Sequence, residues 1–454
     1  MTHIPKLIRD FSRRRWLATS AGLGAVSLPA FLQMRAEAAS VPAGGKAKSC
    51  IIVFAWGGMS HLETFDLKPD APKEIRGEFN PISTATPGIF LSEHLPHLSR
   101  QTERIAIVRS MHHTESAHGR GMYWNLTGRA PSRPGNLSPL PTDWPSLPAV
   151  VSKLRAAPKG VPSAVRVPYP MVDHSLQAGE FAGWLGKKYE PIIMKPKAGV
   201  PFDGVSRSMG CETLELGDCD VGRTTSRKAL LASLERPVST AGDFTGHQHF
   251  QSLATDILLG SAVREAYDLD REDPKIRATY GEHLGGQSLL LARRLTEAGV
   301  PVVQVCCAAG DLNGSVGDMW DTHSDNFNRL KNRLLPVFDR GVSALLQDLA
   351  DRGTLDETLV VVLTDFGRTP QISGNGRDHY PGAYSIMFAG GGIKGGQVYG
   401  SSDAKGAEPR DNPTGPADAH ATIYHALGIS PRTEIRDPLG RPFPVSEGRV
   451  LPIV

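Results

Sequence analysis

Two short segments, Met319-Trp320-Asp321-Thr322-His323 and Leu363-Thr364-Asp365-Phe366-Gly367-Arg368, followed by Arg377-Asp378-His379-Tyr380-Pro381, bring acidic and imidazole groups together. Asp321, His323, Asp365 and His379 make a mixed N/O donor set suited to a divalent metal, with zinc favoured and manganese or calcium as alternatives, and with a position open for water or substrate. Each residue alone reads as a capping or salt-bridged loop group. Their shared placement, where strands of an α/β domain are expected to end, makes them a ligand set and predicts a metal-dependent hydrolase.

Met111 to His118 carries a second cluster of usable groups, Met-His-His-Thr-Glu-Ser-Ala-His. Thr114 or Ser116 could attack a substrate if activated by a metal or a neighbouring imidazole, while His113 or His118 could ligate metal or carry a proton. The bland reading is a polar helix start. Arg368 and Arg377 flank the ligand set and could clamp a sulfate, phosphate or carboxylate in a two-pronged hydrogen bond. Their other reading is an ion pair to Asp365 or Asp378. Gly390-Gly391-Gly392 reads as a turn.

The elements that must position these groups form an α/β pattern. Ser49 to Ala55 is a continuous apolar run ending in Trp56-Gly57-Gly58, as expected of a central parallel strand feeding a loop. Ile105 to Val108 predicts a second strand. The second half alternates: a helix about 285–299, a strand 302–307, a long amphipathic helix about 327–352, a strand 359–363, a strand 384–388 and a closing helix 417–427. Leu330, Leu334, Val337, Phe338, Val342, Leu345, Leu346 and Leu349 mark one buried helix face. The alternation predicts a three-layer α/β sandwich around a mostly parallel sheet. Residues 131–172 are proline-rich and read as a surface excursion. With the irregular stretch that follows, they make an insertion over about 131–250 that shapes substrate access.

Ser12-Arg13-Arg14-Arg15-Trp16-Leu17, the weakly apolar run from Ala18 to Leu32 and Ala36-Glu37-Ala38 read in order as a twin-arginine export signal with its cleavage site. Residues 1–38 are thus expected to be a signal peptide and 39–454 an exported, periplasmic or extracellular domain. The chain's formal charge of +3 comes largely from that leader, without which 44 basic residues face 45 acidic ones. Nothing in this balance asks for nucleic acid or an anionic membrane, and no stretch of the mature chain is apolar enough to span a bilayer. Of five cysteines, Cys50, Cys306 and Cys307 lie on or beside apolar strands and read as small buried hydrophobes. Cys211 and Cys219 are close enough for a loop disulfide in an oxidising compartment.

The order Asp-x-His, a strand ending in Thr-Asp, Asp-His-x-Pro before a strand, Ala-Gly-Gly-Gly and a closing helix ending in Ala-Leu-Gly-Ile resembles the alkaline phosphatase superfamily. Over nearly the whole mature chain, Trp-Gly-Gly-x-Ser-His-Leu-Glu-Thr-Phe-Asp-x-Lys-Pro at 56–69, Trp-Asp-Thr-His at 320–323, Phe-Gly-Arg-Thr-Pro at 366–370 and Gly-Arg-Asp-His-Tyr-Pro at 376–381 resemble the sulfatase-like domain-of-unknown-function 1501 family. The resemblance implies that Asp321, His323 and His379 hold one metal and that Asp365 belongs to a second. The chain departs from the pattern where the superfamily has an aspartate after the first strand, here Trp56-Gly57, and where Phe366 replaces a histidine. The second site is then either lost or rebuilt, with His61, Glu63 and Asp66 as candidates. Ahead of Leu126-Thr127-Gly128-Arg129, the position of a sulfatase nucleophile is taken by His118, which argues against a formylglycine enzyme. The resulting expectation is an exported metal-dependent hydrolase of sulfate or phosphate esters, acting on a small-molecule or polysaccharide ester. The alternative is a catalytically degenerate binding protein on the same fold.

Overall fold

The computed structural model describes residues 44–135, 137–173, 175–193, 221–234, 261–307 and 319–454. The apolar runs condense into one central sheet of eight strands: β1 (Ser49–Ala55), β2 (Ile105–Met111), β3 (Ala164–Val167), β4 (Ile192–Ile193), β5 (Val302–Cys306), β6 (Thr358–Thr364), β7 (Tyr384–Ala389) and β8 (Gln397–Tyr399). Their spatial order is β8-β2-β7-β6-β1-β5-β3-β4. All neighbours run parallel except β7, which is antiparallel to both β6 and β2.

Every residue of β1 and β6 is buried, because both sheet faces are covered. On one face Ile51, Val53, Val303, Val305, Val360 and Val362 pack under helices α3 (Leu284–Glu297) and α4 (Leu335–Asp351). On the other, Cys50, Ile52, Phe54, Val361 and Leu363 meet α1 (His118–Thr127), α2 (Leu147–Leu154) and α5 (Pro416–Ala426). This is the expected three-layer sandwich. Leu334, Phe338, Val342, Leu345 and Leu349 form the buried face of the long helical stretch, as their spacing requires. Its first turns (Asn326–Arg329) pass through a π turn at Leu330–Leu334 before α4, where Pro336 lies in the opening turn and lacks the N–H that a continuous ladder would need.

Within the stretch expected to be a surface excursion, α2 and β3 are instead parts of the core. Ser146 caps α2, accepting from Ala149 N, and Pro148 occupies its first turn, where a missing N–H costs nothing. Prolines that punctuate a loop elsewhere here start a helix. Cys50, Cys306 and Cys307 are buried free thiols, as expected, and burial pushes the Cys307 thiol up to about 12. The signal segment 1–38 and the Cys211/Cys219 pair lie outside the described residues. No described helix is long and apolar enough to cross a membrane.

β1 and β6 lie side by side in register from Ser49↔Thr358 to Ala55↔Thr364, so both deliver their following residues to the same edge. Thr364 fastens that edge: its hydroxyl donates to Ala55 O at 2.9 Å and accepts Met59 N at 2.9 Å. Thr364→Val keeps the shape and removes both bonds, leaving a buried carbonyl and a buried N–H unpaired. The expected loss is about 1–3 kcal/mol of unfolding free energy in urea titration, with the near-UV spectrum unchanged.

Candidate metal centre

Asp365, the residue after β6, is fully buried. Its Oδ1 accepts the backbone N–H groups of Gly57 (3.1 Å) and Gly58 (2.6 Å), and its Oδ2 accepts from His118 Nδ1. Successive main-chain N–H groups form an anion-binding concavity of this kind when the backbone takes positive φ, here +112° at Gly57 and +82° at Gly58. A Cβ at Gly57 would also stand 2.6 Å from Asp321 N, so the glycine lets the Asp321 segment lie against the β1 turn. The backbone carbonyl of Asp365 accepts from His113 Nε2 (2.7 Å) and Asn125 Nδ2 (3.0 Å).

Asp321 and His323 follow β5 and are docked on the same turn, with Trp320 N donating to Trp56 O at 3.0 Å. His379 comes from a short ribbon in which it pairs with Arg368. At this junction Asp321 Oδ1 lies 3.1 Å from His323 Nε2 and 3.2 Å from His379 Nε2, and the two nitrogens are 2.9 Å apart. The Nδ1 atom of His323 faces the Asp378 carboxylate at 2.8 Å and that of His379 faces Ser116 O at 2.7 Å. Both partners only accept, so both Nδ1 atoms carry a hydrogen and both Nε2 atoms are turned toward each other and toward a carboxylate oxygen. Three such atoms in contact need a positive charge among them, a shared proton or a metal ion. Bonds of 2.0–2.1 Å in a tetrahedral site set ligands about 3.3 Å apart, close to the spacing seen. The residues present therefore fit a divalent metal, and imidazoles fixed by an oxygen acceptor on the far nitrogen are the usual construction of one.

Around this triangle the rings are tightly placed. Phe366 stacks on His118 at 5.0 Å and lies 4.6 Å from His379, and His118 is 4.1 Å from His379 between ring centroids. Burial opposes charge on His118, but Asp365 and Asp321 outweigh it and hold its pKa up at about 9. Burial likewise works against ionised Asp321, yet His118, His379 and Arg368 pull its carboxyl well below the usual range.

Other expected site residues are engaged elsewhere. Arg368 is fully buried and bonds Gly58 O (2.9 Å), Gly57 O, Arg377 O (3.0 Å) and Asp321 Oδ1 (2.6 Å), so its donors order Asp321 and the β1 turn and none is left for an oxyanion. Arg377, also fully buried, grips Glu63 at 2.6–3.0 Å and carbonyls of Ile75, Thr369 and Pro370. Asp66 is held by Lys68, Arg109 and Ser402, and His61 Nε2 by Gly406 O. Glu63, Asp66 and His61 thus do not rebuild a second metal site at Asp365, because stronger partners hold them. His113 is spent between Asp365 O and Glu115 N, and burial lowers its pKa to about 4. Thr114 and Ser116 are exposed, and Ser116 meets the site through its carbonyl.

Sequence reasoning missed the Gly57 and Gly58 amides, which have no side chain to read, and the role of Asp378 behind His323. The Trp-Gly-Gly turn after an apolar run and the Arg-Asp-His order were the available signals.

Residues 47–454 match the model of the family described as "Protein of unknown function (DUF1501)". No curated protein matches. Solved structures similar to the chain include a phosphonate monoester hydrolase from Silicibacter pomeroyi, at 14% identity over 89% of this chain and 76% of that one, with a TM-score of 0.38. A protein in the alkaline phosphatase superfamily from Vibrio parahaemolyticus shares 10% identity over 86% and 68% of the two chains, with a TM-score of 0.41. A putative sulfatase from Bacteroides thetaiotaomicron shares 11% over 85% and 71%, with a TM-score of 0.38.

Arg377→Ala would leave the buried Glu63 carboxylate without its partner. The expected cost is about 3–5 kcal/mol of stability in denaturant titration, because an uncompensated buried charge remains. A substrate clamp would behave otherwise, with stability kept and substrate binding lost.

Proposed function

The chain belongs to the DUF1501 family, and we propose that it is an exported hydrolase of sulfate or phosphate esters using one divalent metal held by Asp321, His323 and His379. The observation that carries this reading is the triangle of Asp321 Oδ1, His323 Nε2 and His379 Nε2 at 2.9–3.2 Å, with both Nε2 atoms turned inward. A metal there would supply Lewis acidity toward an ester oxygen. An imidazole-rich set favours zinc, or manganese, over calcium, which prefers six to eight oxygens.

The chain's own residues do the positioning. Asp378 and Ser116 O hold the two imidazoles, Arg368 holds Asp321, and Phe366 packs against the His379 ring. His323 and Asp321 remain partly open to solvent, leaving a side from which an ester can approach. Ser116 and Thr114 lie at the exposed rim as candidate side-chain nucleophiles. The twin-arginine leader supports export, and a small-molecule or polysaccharide ester is the substrate class in view.

A second reading, a binding protein on a hydrolase fold, is favoured by one specific fact. Both arginines expected to grip the oxyanion are consumed internally.

The test is elemental analysis of the purified mature protein and of His379→Ala, with hydrolysis of p-nitrophenyl sulfate and phosphate before and after chelation. About one equivalent of zinc or manganese is expected in wild type and little in the variant. Turnover should be lost on chelation and restored by the metal. A folded wild type without metal would overturn the metal site, and metal without turnover on either ester would leave the binding protein.

A further inference from the structure

We propose that His118 is a fourth protein ligand of this metal and that Asp365, instead of binding a second cation, is the positioning residue that aims it. The inference rests on the metal reading above and deepens it.

His118 opens α1 and is 7% exposed. Its Nδ1 meets Asp365 Oδ2, and Asp365 is a pure acceptor here because its other oxygen already takes two backbone N–H groups. Nδ1 therefore carries a hydrogen, and Nε2 is the ring nitrogen left to face Asp321. That Nε2 atom is buried and makes no hydrogen bond among the described residues, although Asp321 Oδ2 stands 3.4 Å away. A buried ring nitrogen facing a carboxylate oxygen needs a positive charge between them, its own proton or a metal ion that takes the proton's place. Ligand atoms of His118, Asp321 and His379 lie within 4.8 Å of one another, so a small closure of the His118 ring brings all three onto one ion.

The construction of His118 repeats that of the other two imidazoles. Each has Nδ1 fixed on an oxygen, from Asp365, Asp378 and Ser116 respectively, and each turns Nε2 toward Asp321. The stacked Phe366 ring and Trp56, 5.4 Å away, hold the His118 ring in that orientation. The resulting three-nitrogen, one-oxygen set leaves substrate a fifth position, which zinc and manganese both accept. It also assigns one metal per chain, since both Asp365 oxygens are engaged.

X-ray absorption on the zinc-loaded mature protein counts imidazoles directly, and zinc(II) titration gives affinity. Wild type should show three imidazoles on one zinc. His118→Ala should show two and bind zinc at least 10-fold more weakly. Asp365→Asn is nearly the same size but turns an amide N–H toward Nδ1, which forces the other tautomer. It should weaken binding by roughly 10–100-fold, the usual effect of losing an orienting partner. Two imidazoles in wild type, or two zinc ions per chain, would overturn the proposal, as would unchanged affinity in both variants. Wild type that binds no zinc fails the earlier reading, whereas two-imidazole zinc fails this one alone. Because the wild-type spectrum decides the ligand count, a variant that does not fold leaves the proposal testable.

Discussion

The buried carboxylate of Asp365 is the constraint from which the rest of the centre follows. A charge with no solvent must be saturated by donors, and this one draws them from two distant parts of the chain: the Gly57-Gly58 turn after β1 and His118 at the start of α1. Its main-chain carbonyl recruits His113 and Asn125 as well. Satisfying one residue therefore fixes the β1 turn, the strand-to-helix segment 111–118 and the carboxyl end of β6 relative to one another. The turn so fixed presents its carbonyls to Arg368, and Arg368 in turn reaches Asp321. Position passes from a parallel sheet to a metal-type ligand set through polar contacts alone.

Two fully buried arginines show how differently the same side chain can be used. Arg377 neutralises Glu63 and ties together segments more than 300 residues apart, which is structural work. Arg368 spends most of its donors on carbonyls and one on Asp321, so it orders a ligand without reaching solvent. Around Asp321, by contrast, the Nε2 atoms of three histidines converge on one carboxylate.

Much of this was legible in the chain. Long apolar runs such as Ser49–Ala55 and Thr358–Thr364 can only be central strands, and the heptad-like leucines after Leu330 can only face a core. Asp321, His323 and His379 could be singled out because polar groups were expected where strands end, and the structure brings the three together. β3 and α2 were not, since a four-residue strand among prolines carries little periodicity and Pro148 starts a helix as readily as it ends one. The direction of β7 was not legible either, because strand sense depends on the connection and not on the strand's own residues. The two readings of the arginines stayed open for a related reason: whether a guanidinium is free or spent depends on partners such as Glu63, which sequence distance conceals.

The local chemistry at Asp365 explains why a second cation finds no seat there. A metal beside this carboxylate would need oxygens that already accept two amides and an imidazole N–H, and it would need a further donor where Phe366 offers only a ring. Amide dipoles and an imidazole supply the positive end that a second ion would otherwise provide. They do so without exchangeable ligands, so the charge of Asp365 is met permanently by the fold and His118 is held with its Nε2 toward Asp321. Replacing an ion by backbone converts a variable site into a rigid support for the neighbouring one.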